Sequence, residues 1–326
     1  MPAGHKQSSY VGRLAPSPTG YLHAGHARTF SIAARRAKDA GGKLLLRIDD
    51  LDRERCRPEF TKTAIADLRW LGLHWEGPPI FQSQRLPHYR RALEKLHAAG
   101  LIYPCTKTRK EIREAAAQRS LCGRSRSVCD RGAAPNERVE DSEQDSEPLY
   151  PPHFRPAYFD SASPSAPPTL RTMEEPTTPP HSHSPVSVPL PLLGEIIRTN
   201  WRFRTPDGET LRFVDNALGP QTAEVGRDIG DFLVWRKDDL PSYQLACVID
   251  DSELGITEVV RGADLLRSTF RQLLLYRALG ATPPEYYHCE LVRDETGTRL
   301  AKRHAVSDRF QLRSRDTLLT QSDLSH

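Results

Sequence analysis

No stretch of this sequence approaches the roughly 20 consecutive apolar residues that a membrane-spanning helix needs. The opening run MPAGHKQSSYVGRL also lacks the apolar core of about 7–15 residues that marks a secretory signal. Hydrophobic residues fill only 37% of the 326 positions, so part of the length is expected to lie outside any packed core. Neither charge sign dominates: a net charge of +4 and a pI near 8.7 are compatible with an RNA partner without establishing one. Six cysteines (Cys56, Cys105, Cys122, Cys129, Cys247 and Cys289) are scattered, and Cys247 and Cys289 sit in apolar runs where cysteine acts as a small hydrophobe. These absences point to a reduced, cytoplasmic chain without a membrane segment.

What is present begins as strand and helix in alternation. Residues 9–15 read as extended, and residues 26–40 place Ala27, Phe30, Ala34 and Ala37 on one helical stripe that stops at Gly41-Gly42. Residues 43–48 form a nearly continuous apolar run, as a buried parallel strand should. Residues 60–71 and 87–99 carry apolar residues at helical spacing. Composition then shifts, with 14 of the 27 prolines falling between Ala133 and Leu193 beside an acidic stretch at 137–147. Such a segment buries too little apolar surface to offset the entropy of ordering it, so about 133–193 reads as a disordered insertion. After it, WRFRTPDGETLRFVD reads as a hairpin about Asp207-Gly208, 243–250 and 256–260 as buried strands, and 263–279 as a helix closed by Gly280.

Three constellations carry chemistry. In RLAPSPTGYLHAGH a strand ends, prolines and a glycine turn the chain, and a helix starts near His26. Backbone N–H groups at a helix start attract anions, His23 and His26 can both donate to phosphate oxygens, and Gly25 lets a flat base approach. In the second, Arg299, Lys302 and Arg303 place three cations in five residues after the loop DETGT, suited to clamping a polyphosphate. The third pairs RIDDLD with VVRGAD, each at a strand end. Beyond such ends Arg13, Asp49 and Arg261 can meet a zwitterion, guanidinium forks to carboxylates and a carboxylate to the ammonium, with Tyr243 lining the crevice. Each set alone is equally read as an ordinary strand–turn–helix junction, a solvated basic face, or core.

Together these residues resemble a known family. GRLAPSPTGYLHAGH is similar to the "HIGH" signature of class I aminoacyl-tRNA synthetases in its glutamate variant, and RLAKR stands where that class has its "KMSKS" loop. RIDDLD, LPSYQLACVIDD and GITEVVRGADLL resemble further blocks of the glutamyl-tRNA synthetase family, in that family's order. The likeness covers roughly residues 10–110 and 200–304. It implies an α/β, Rossmann-like class I catalytic domain with an irregular, partly disordered insertion. The expected division is 8–104 and 200–304 as halves of that domain, 105–199 as an insertion with a vestigial zinc-type subdomain, and 305–326 as a short tail.

By the same resemblance Arg13, Leu14, Ala15, Pro16 and Ser17 bind L-glutamate together with Asp49, Tyr243 and Arg261, with Arg261 reading the side-chain carboxylate. His23, Gly25, His26, Arg299 and Lys302 bind ATP, which brings Mg²⁺, and His23, His26 and Lys302 are the catalytic set. Only 23 residues follow Arg303, so no anticodon-binding domain is expected, and the likeness is to the short branch of the family. That branch activates glutamate without tRNA and attaches it to the queuosine base of tRNA(Asp); a monomer is expected. A truncated glutamyl-tRNA synthetase charging tRNA(Glu), a non-catalytic RNA-binding paralogue, and a related enzyme activating another acid stay open.

The sequence departs from the pattern in places. Asp49 stands where the family usually has Glu, and Ala301 replaces the usual Ser. Of the family's zinc ligands only Cys105 and Tyr150 have counterparts, because Lys107 and Phe154 occupy ligand positions; Cys122, Cys129 and His153 are possible substitutes without a spacing that demands Zn²⁺. One outcome follows for the basic loop. Lys302→Ala should slow adenylate formation at least tenfold, a loss of ~1.4 kcal/mol of transition-state stabilisation, in a pyrophosphate-exchange assay. An unchanged rate in a folded variant removes that loop from the active site.

Overall fold

The computed structural model of the protein describes residues 10–123, 148–156 and 196–291, with the side chains of 119–123 excepted. The first strand, β1 (Val11–Leu14), is buried along its length and lies parallel to β2 (Lys43–Ile48), Val11 opposite Lys43 and Leu14 opposite Leu46. Helix α1 (Ala24–Asp39) joins them, and its buried stripe of Ala27, Phe30, Ala33 and Ala37 seats it on the sheet. A Cβ at Gly42 would lie 2.3 Å from the Tyr10 carbonyl oxygen, so only glycine lets the chain re-enter the sheet there. The two-residue β3 (Ile80–Phe81) extends the layer beside β2. Helices α2 (Pro58–Trp70) and α3 (Leu86–Ala98) each carry proline in the first turn, where a missing N–H costs nothing.

A second strand–helix–strand unit follows the insertion. Strands β9 (Glu258–Gly262) and β10 (Glu285–Cys289) are parallel and joined by α6 (Leu266–Leu279), which Gly280 closes at φ 67°. β10 also lies parallel to β6 (Thr210–Asp215), which turns antiparallel into β7 (Gly219–Glu224). β1 and β9 bring the two units together. The Thr257 N–H donates to the Val11 carbonyl at 2.9 Å, the Val11 N–H to Thr257 Oγ1 at 2.9 Å, and Arg13 Nη1 to the Val260 carbonyl at 3.0 Å.

Beside that joint the buried Glu258 carboxylate accepts from Tyr10 Oη at 2.7 Å, Arg36 Nε and Nη2 at 2.7 and 2.6 Å, and Asn216 Nδ2 at 2.8 Å. Burial alone would raise the pKa of Glu258, yet these donors hold it below the usual carboxylate range.

The third layer is antiparallel: β4 (Ile102–Cys105), β5 (Asn200–Phe203) and β8 (Phe232–Trp235) in the order β4-β5-β8. Trp201, Phe203, Phe232 and Trp235 share the largest core cluster with Leu93 and Leu96 of α3, and with Leu245 and Val248 of the next helix.

Three expectations are corrected. Residues 243–250 are helical: α5 (Tyr243–Glu253) starts behind Ser242, whose hydroxyl accepts the Leu245 N–H. The helix is wedged between layers, and every residue from Gln244 to Asp251 is buried, so no polar face remained to show its period. Asp207-Gly208 does turn the chain, with Gly208 at φ 76°, but β5 and β6 enter different sheets and do not pair. The hairpin is β6–β7, capped by Asp215, whose Oδ1 accepts the Ala217 and Leu218 N–H groups at 2.9 Å. Third, residues 148–156 of the expected disordered stretch are packed. Tyr150 is buried, and Arg155 donates to both Asp231 oxygens at 2.7 Å and also holds Asp207. The remainder of 133–193 lies outside the described residues.

The joint at Glu258 sets an expected stability. Glu258→Ala should cost roughly 2–4 kcal/mol in urea unfolding, at the modest end for a broken buried pair because Arg36 keeps some contact with water. An unchanged midpoint would mean that the two units hold together without it.

Candidate active site

The parallel strands β1, β2 and β9 end at one rim of the sheet, where open α/β folds place ligands. From β1 the chain runs through Ala15–Ser17, and the Asp49 N–H at the end of β2 donates to the Pro16 carbonyl at 3.0 Å, fixing the two loops together. Leu14 is fully buried in the core, so any ligand contact from it is through its backbone. Ala15 and Ser17 are half-buried at the rim.

His23 is the N-cap of α1. Its Nδ1 accepts the Gly25 N–H at 3.1 Å, while His26 Nδ1 accepts the His23 N–H at 3.3 Å. The two rings lie 3.9 Å apart between centroids. A nitrogen that accepts carries no proton, so both neutral imidazoles have their N–H at Nε2. Two Nε2–H donors therefore accompany the positive end of the helix dipole, an arrangement suited to phosphate oxygens.

The other end of the crevice is ionic. Arg47, buried beneath it, donates to Asp49 Oδ1 at 2.6 Å, Asp49 Oδ2 at 3.2 Å and Asp251 Oδ1 at 2.7 Å. Arg13 Nε lies 3.4 Å from the same Asp251 oxygen. Burial, only partly offset by Arg47, pushes the Asp49 carboxyl up to about 6. Burial likewise raises the Tyr243 hydroxyl, and the neighbouring Cys247, Arg261, Asp49 and Arg13 also act on it, so these groups lie within electrostatic reach of Tyr243. Cys247, one turn along α5 from Tyr243, is pushed up to about 12 by burial and is a packed thiol, not a nucleophile.

Arg261, on β9, meets an imidazole and a hydroxyl. Its Nε donates to His288 Nε2 at 3.3 Å and its Nη2 to Thr269 Oγ1 at 2.7 Å. The Thr269 hydroxyl is 2.9 Å from the same His288 nitrogen, and His288 Nδ1 is 2.6 Å from Asp215 Oδ2. Burial alone would raise Asp215, but the His288 hydrogen bond and the Leu218 and Ala217 N–H groups hold it at about 2. Just beyond Arg261, a Cβ at Gly262 would stand 2.4 Å from Asp264 Oδ1, so glycine leaves room for that carboxylate to fold back.

The structure brings Arg13 at the end of β1, Asp49 after β2 and Arg261 on β9 to the same side as Tyr243 at the start of α5, with His23, Gly25 and His26 at the start of α1. Arg299, Ala301 and Lys302 lie outside the described residues. Arg47, Asp251, Thr269, His288 and Asp215 received no role from the sequence. Arg47 had a signal, since two residues before Asp49 on one strand is the same face. His288 had none, because its partners lie 19, 27 and 73 residues away.

The zinc expectation can be tested on the donor atoms. Cys105 Sγ lies 3.3 Å from Tyr150 Oη, and the phenol is 3.3 Å from the Phe154 carbonyl. Lys107 places its ammonium 4.8 Å from the Phe154 ring centroid, where a cation repels a metal ion. Two donors do not make a tetrahedral set among the described residues, and the candidates Cys122 and Cys129 lie outside the described side chains. Among the described residues no cluster of three or more His, Cys, Asp or Glu could hold a metal, and no helix is long and apolar enough to cross a membrane.

Comparison with known proteins bears on this geometry. The family model "tRNA synthetases class I (E and Q), catalytic domain" matches residues 10–150 and 197–318. The chain belongs to this class I tRNA synthetase family. It is 42% identical over 301 residues to the Glutamyl-Q tRNA(Asp) synthetase of Nitratidesulfovibrio vulgaris, covering 90% of this chain and 78% of that one. With the protein of the same name from Rhodopirellula baltica it shares 41% over 305 residues, covering 91% and 78%. The crystal structure of glutamate-tRNA synthetase from Elizabethkingia anophelis superimposes with a TM-score of 0.64 at 26% identity, over 92% of this chain and 54% of that one. The chain thus spans about half of that solved synthetase. The α/β synthetase fold and the five motif blocks are those of the class I tRNA synthetase family.

Proposed function

We propose that this protein activates L-glutamate with ATP, without tRNA, and transfers it to the queuosine base at the wobble position of tRNA(Asp). What supports the first half is the grouping of Arg13, Asp49 and Arg261 from β1, β2 and β9 around Tyr243 at the start of α5, together with a helix start furnished with two imidazole Nε2–H donors. The name shared by the relatives at 41 and 42% identity supports the second half.

In this reading Arg261 pairs with the side-chain carboxylate of glutamate, and Asp49 and the Tyr243 hydroxyl face its ammonium. Arg13 steadies the α-carboxylate, one oxygen of which attacks the α-phosphorus of ATP. That P–O bond forms as the bond to the bridging oxygen of pyrophosphate breaks, and negative charge builds on the phosphates. His23 and His26 donate to them through Nε2, and Lys302 is the cation that the family resemblance assigns to the same phosphates; magnesium arrives as part of the ATP complex. No protein nucleophile is needed, so catalysis is positioning and charge stabilisation. Attack of the queuosine base on the activated carbonyl then releases AMP. Residues 8–104 and 200–304 form the catalytic domain in this proposal, which acts in the cytoplasm as a monomer.

The deciding experiment has two arms. Glutamate-dependent ATP–pyrophosphate exchange should proceed without tRNA, and labelled glutamate should then load tRNA(Asp) carrying queuosine but not unmodified tRNA(Glu). No exchange with any amino acid overturns activation; efficient loading of tRNA(Glu) overturns the acceptor. A pH profile should follow from Asp49. Its carboxyl loses its proton near pH 6, so kcat/KM for glutamate should climb as pH rises through about 6 and then level off. Asp49→Asn should flatten that limb, and a limb that survives the substitution belongs to another group.

A further inference from the structure

Arg47 and Arg261 are both buried arginines at the crevice, but the groups that hold them differ in charge. Arg47 donates to two carboxylates, Asp49 and Asp251, and its charge is largely spent on them. For Arg261 the contacts on Nε and Nη2 are an imidazole nitrogen and a hydroxyl, both neutral, and the carboxylate of Asp215 stands one ring farther away, behind His288. An imidazole nitrogen and a hydroxyl fix the plane of a guanidinium through the direction of the hydrogen bonds they accept.

The hydrogen-bond directions are determined. A guanidinium only donates, so His288 Nε2 and Thr269 Oγ1 must accept from Arg261. His288 Nε2 then carries no proton of its own, and the ring's N–H sits at Nδ1, pointing at Asp215 Oδ2 at 2.6 Å. The Thr269 hydroxyl, having accepted from Arg261, has its one proton between His288 Nε2 at 2.9 Å and the Leu265 carbonyl at 3.4 Å. Asp215 is itself fixed, because its Oδ1 accepts the His288, Ala217 and Leu218 N–H groups at 3.2, 2.9 and 2.9 Å. Asp215 and His288 are 1% and 0% exposed and Thr269 is 0% exposed, so no substrate reaches them. The order carboxylate–imidazole–hydroxyl has the connectivity of a nucleophile triad, but a sealed hydroxyl already bonded to a guanidinium cannot attack anything.

We infer that Asp215, His288 and Thr269 are positioning residues that aim Arg261 at the side-chain carboxylate of the amino-acid substrate and thereby set its selection over the amide. This rests on the reading of Arg261 given under Proposed function. Asp215 selects the tautomer, His288 transmits it as an acceptor, and Thr269 fixes the second edge of the fork. A carboxylate offers two charged acceptors to a preset fork, whereas an amide presents one oxygen and turns N–H donors towards a donor.

Pyrophosphate exchange on the full chain tests this, with glutamate and glutamine compared and Arg261→Ala as reference. Thr269→Val keeps the shape and removes the hydroxyl; KM for glutamate should rise about tenfold while KM for ATP and kcat at saturating glutamate change less than about threefold. Thr269→Ser should recover most of that loss. In Asp215→Asn the oxygen must stay on the three backbone N–H groups, so the amide N–H faces His288 Nδ1 and drives the ring proton to Nε2, against Arg261. Glutamate KM should rise there too, the preference over glutamine should fall, and imidazole ¹⁵N shifts should report the moved proton. If Arg261→Ala leaves glutamate KM unchanged, the role of Arg261 itself fails. Should Arg261→Ala raise it while Thr269→Val and Asp215→Asn do not, the relay is wrong and Arg261 stands alone. Equal loss of kcat for every variant, with no recovery in Thr269→Ser, assigns these residues to folding only.

Discussion

The lateral joint between β1 and β9 is the constraint on which the site depends. Arg13 rides on one strand and Arg261 on the other, and they share a crevice only because Thr257 and Val11 lock the strand edges together. Arg13 belongs to that joint as well as to the crevice, since its Nη1 closes on the Val260 carbonyl. Glu258 then fastens α1 and the turn after β6 to the same point through Arg36, Tyr10 and Asn216. An arginine that serves as a structural tie has little rotational freedom left, which is what preorganised recognition requires.

Around this joint the protein distributes charge unevenly on purpose of geometry. Asp49 and Asp251 offset Arg47 below the crevice, and Asp250 is saturated by Gln82, Arg85 and Tyr89 behind it. Buried charges without such partners would cost several kcal/mol each. Asp49 sits between two opposing effects: burial raises its carboxyl and the ion pair with Arg47 lowers it, leaving it at about 6.

How much of this could be read from the sequence depended on how local the physics was. The start of α1 was legible, because a cap and its Gly25 and His26 partners lie within three residues. The two parallel crossovers were legible from apolar runs separated by helical stripes. Helix α5 was not, since wrapping it in core erased the polar face that distinguishes helix from strand. The mispairing of β5 with β6 came from a genuine turn at Asp207-Gly208 whose flanking strands are claimed by partners elsewhere in the chain. Strand-end logic and resemblance named Arg13, Asp49, Tyr243 and Arg261, but not the groups that pack beneath them. Arg47 meets Asp251 across 204 residues and His288 meets Asp215 across 73, separations at which no window of sequence carries a signal.

The joint also has a consequence for how the chain is made. Val11 and Thr257 bond across 246 residues, so β1 leaves the ribosome long before its neighbour exists. At about 5–20 residues per second that interval is roughly 12–50 s, during which one edge of the nascent sheet has no partner strand. An unpaired apolar edge is a template for other chains. The proline-dense stretch emerges within that interval and, lacking the N–H groups that strand pairing needs, is a poor partner for it. Synthesis therefore delivers the correct neighbour after a delay filled with sequence that competes weakly for the same edge.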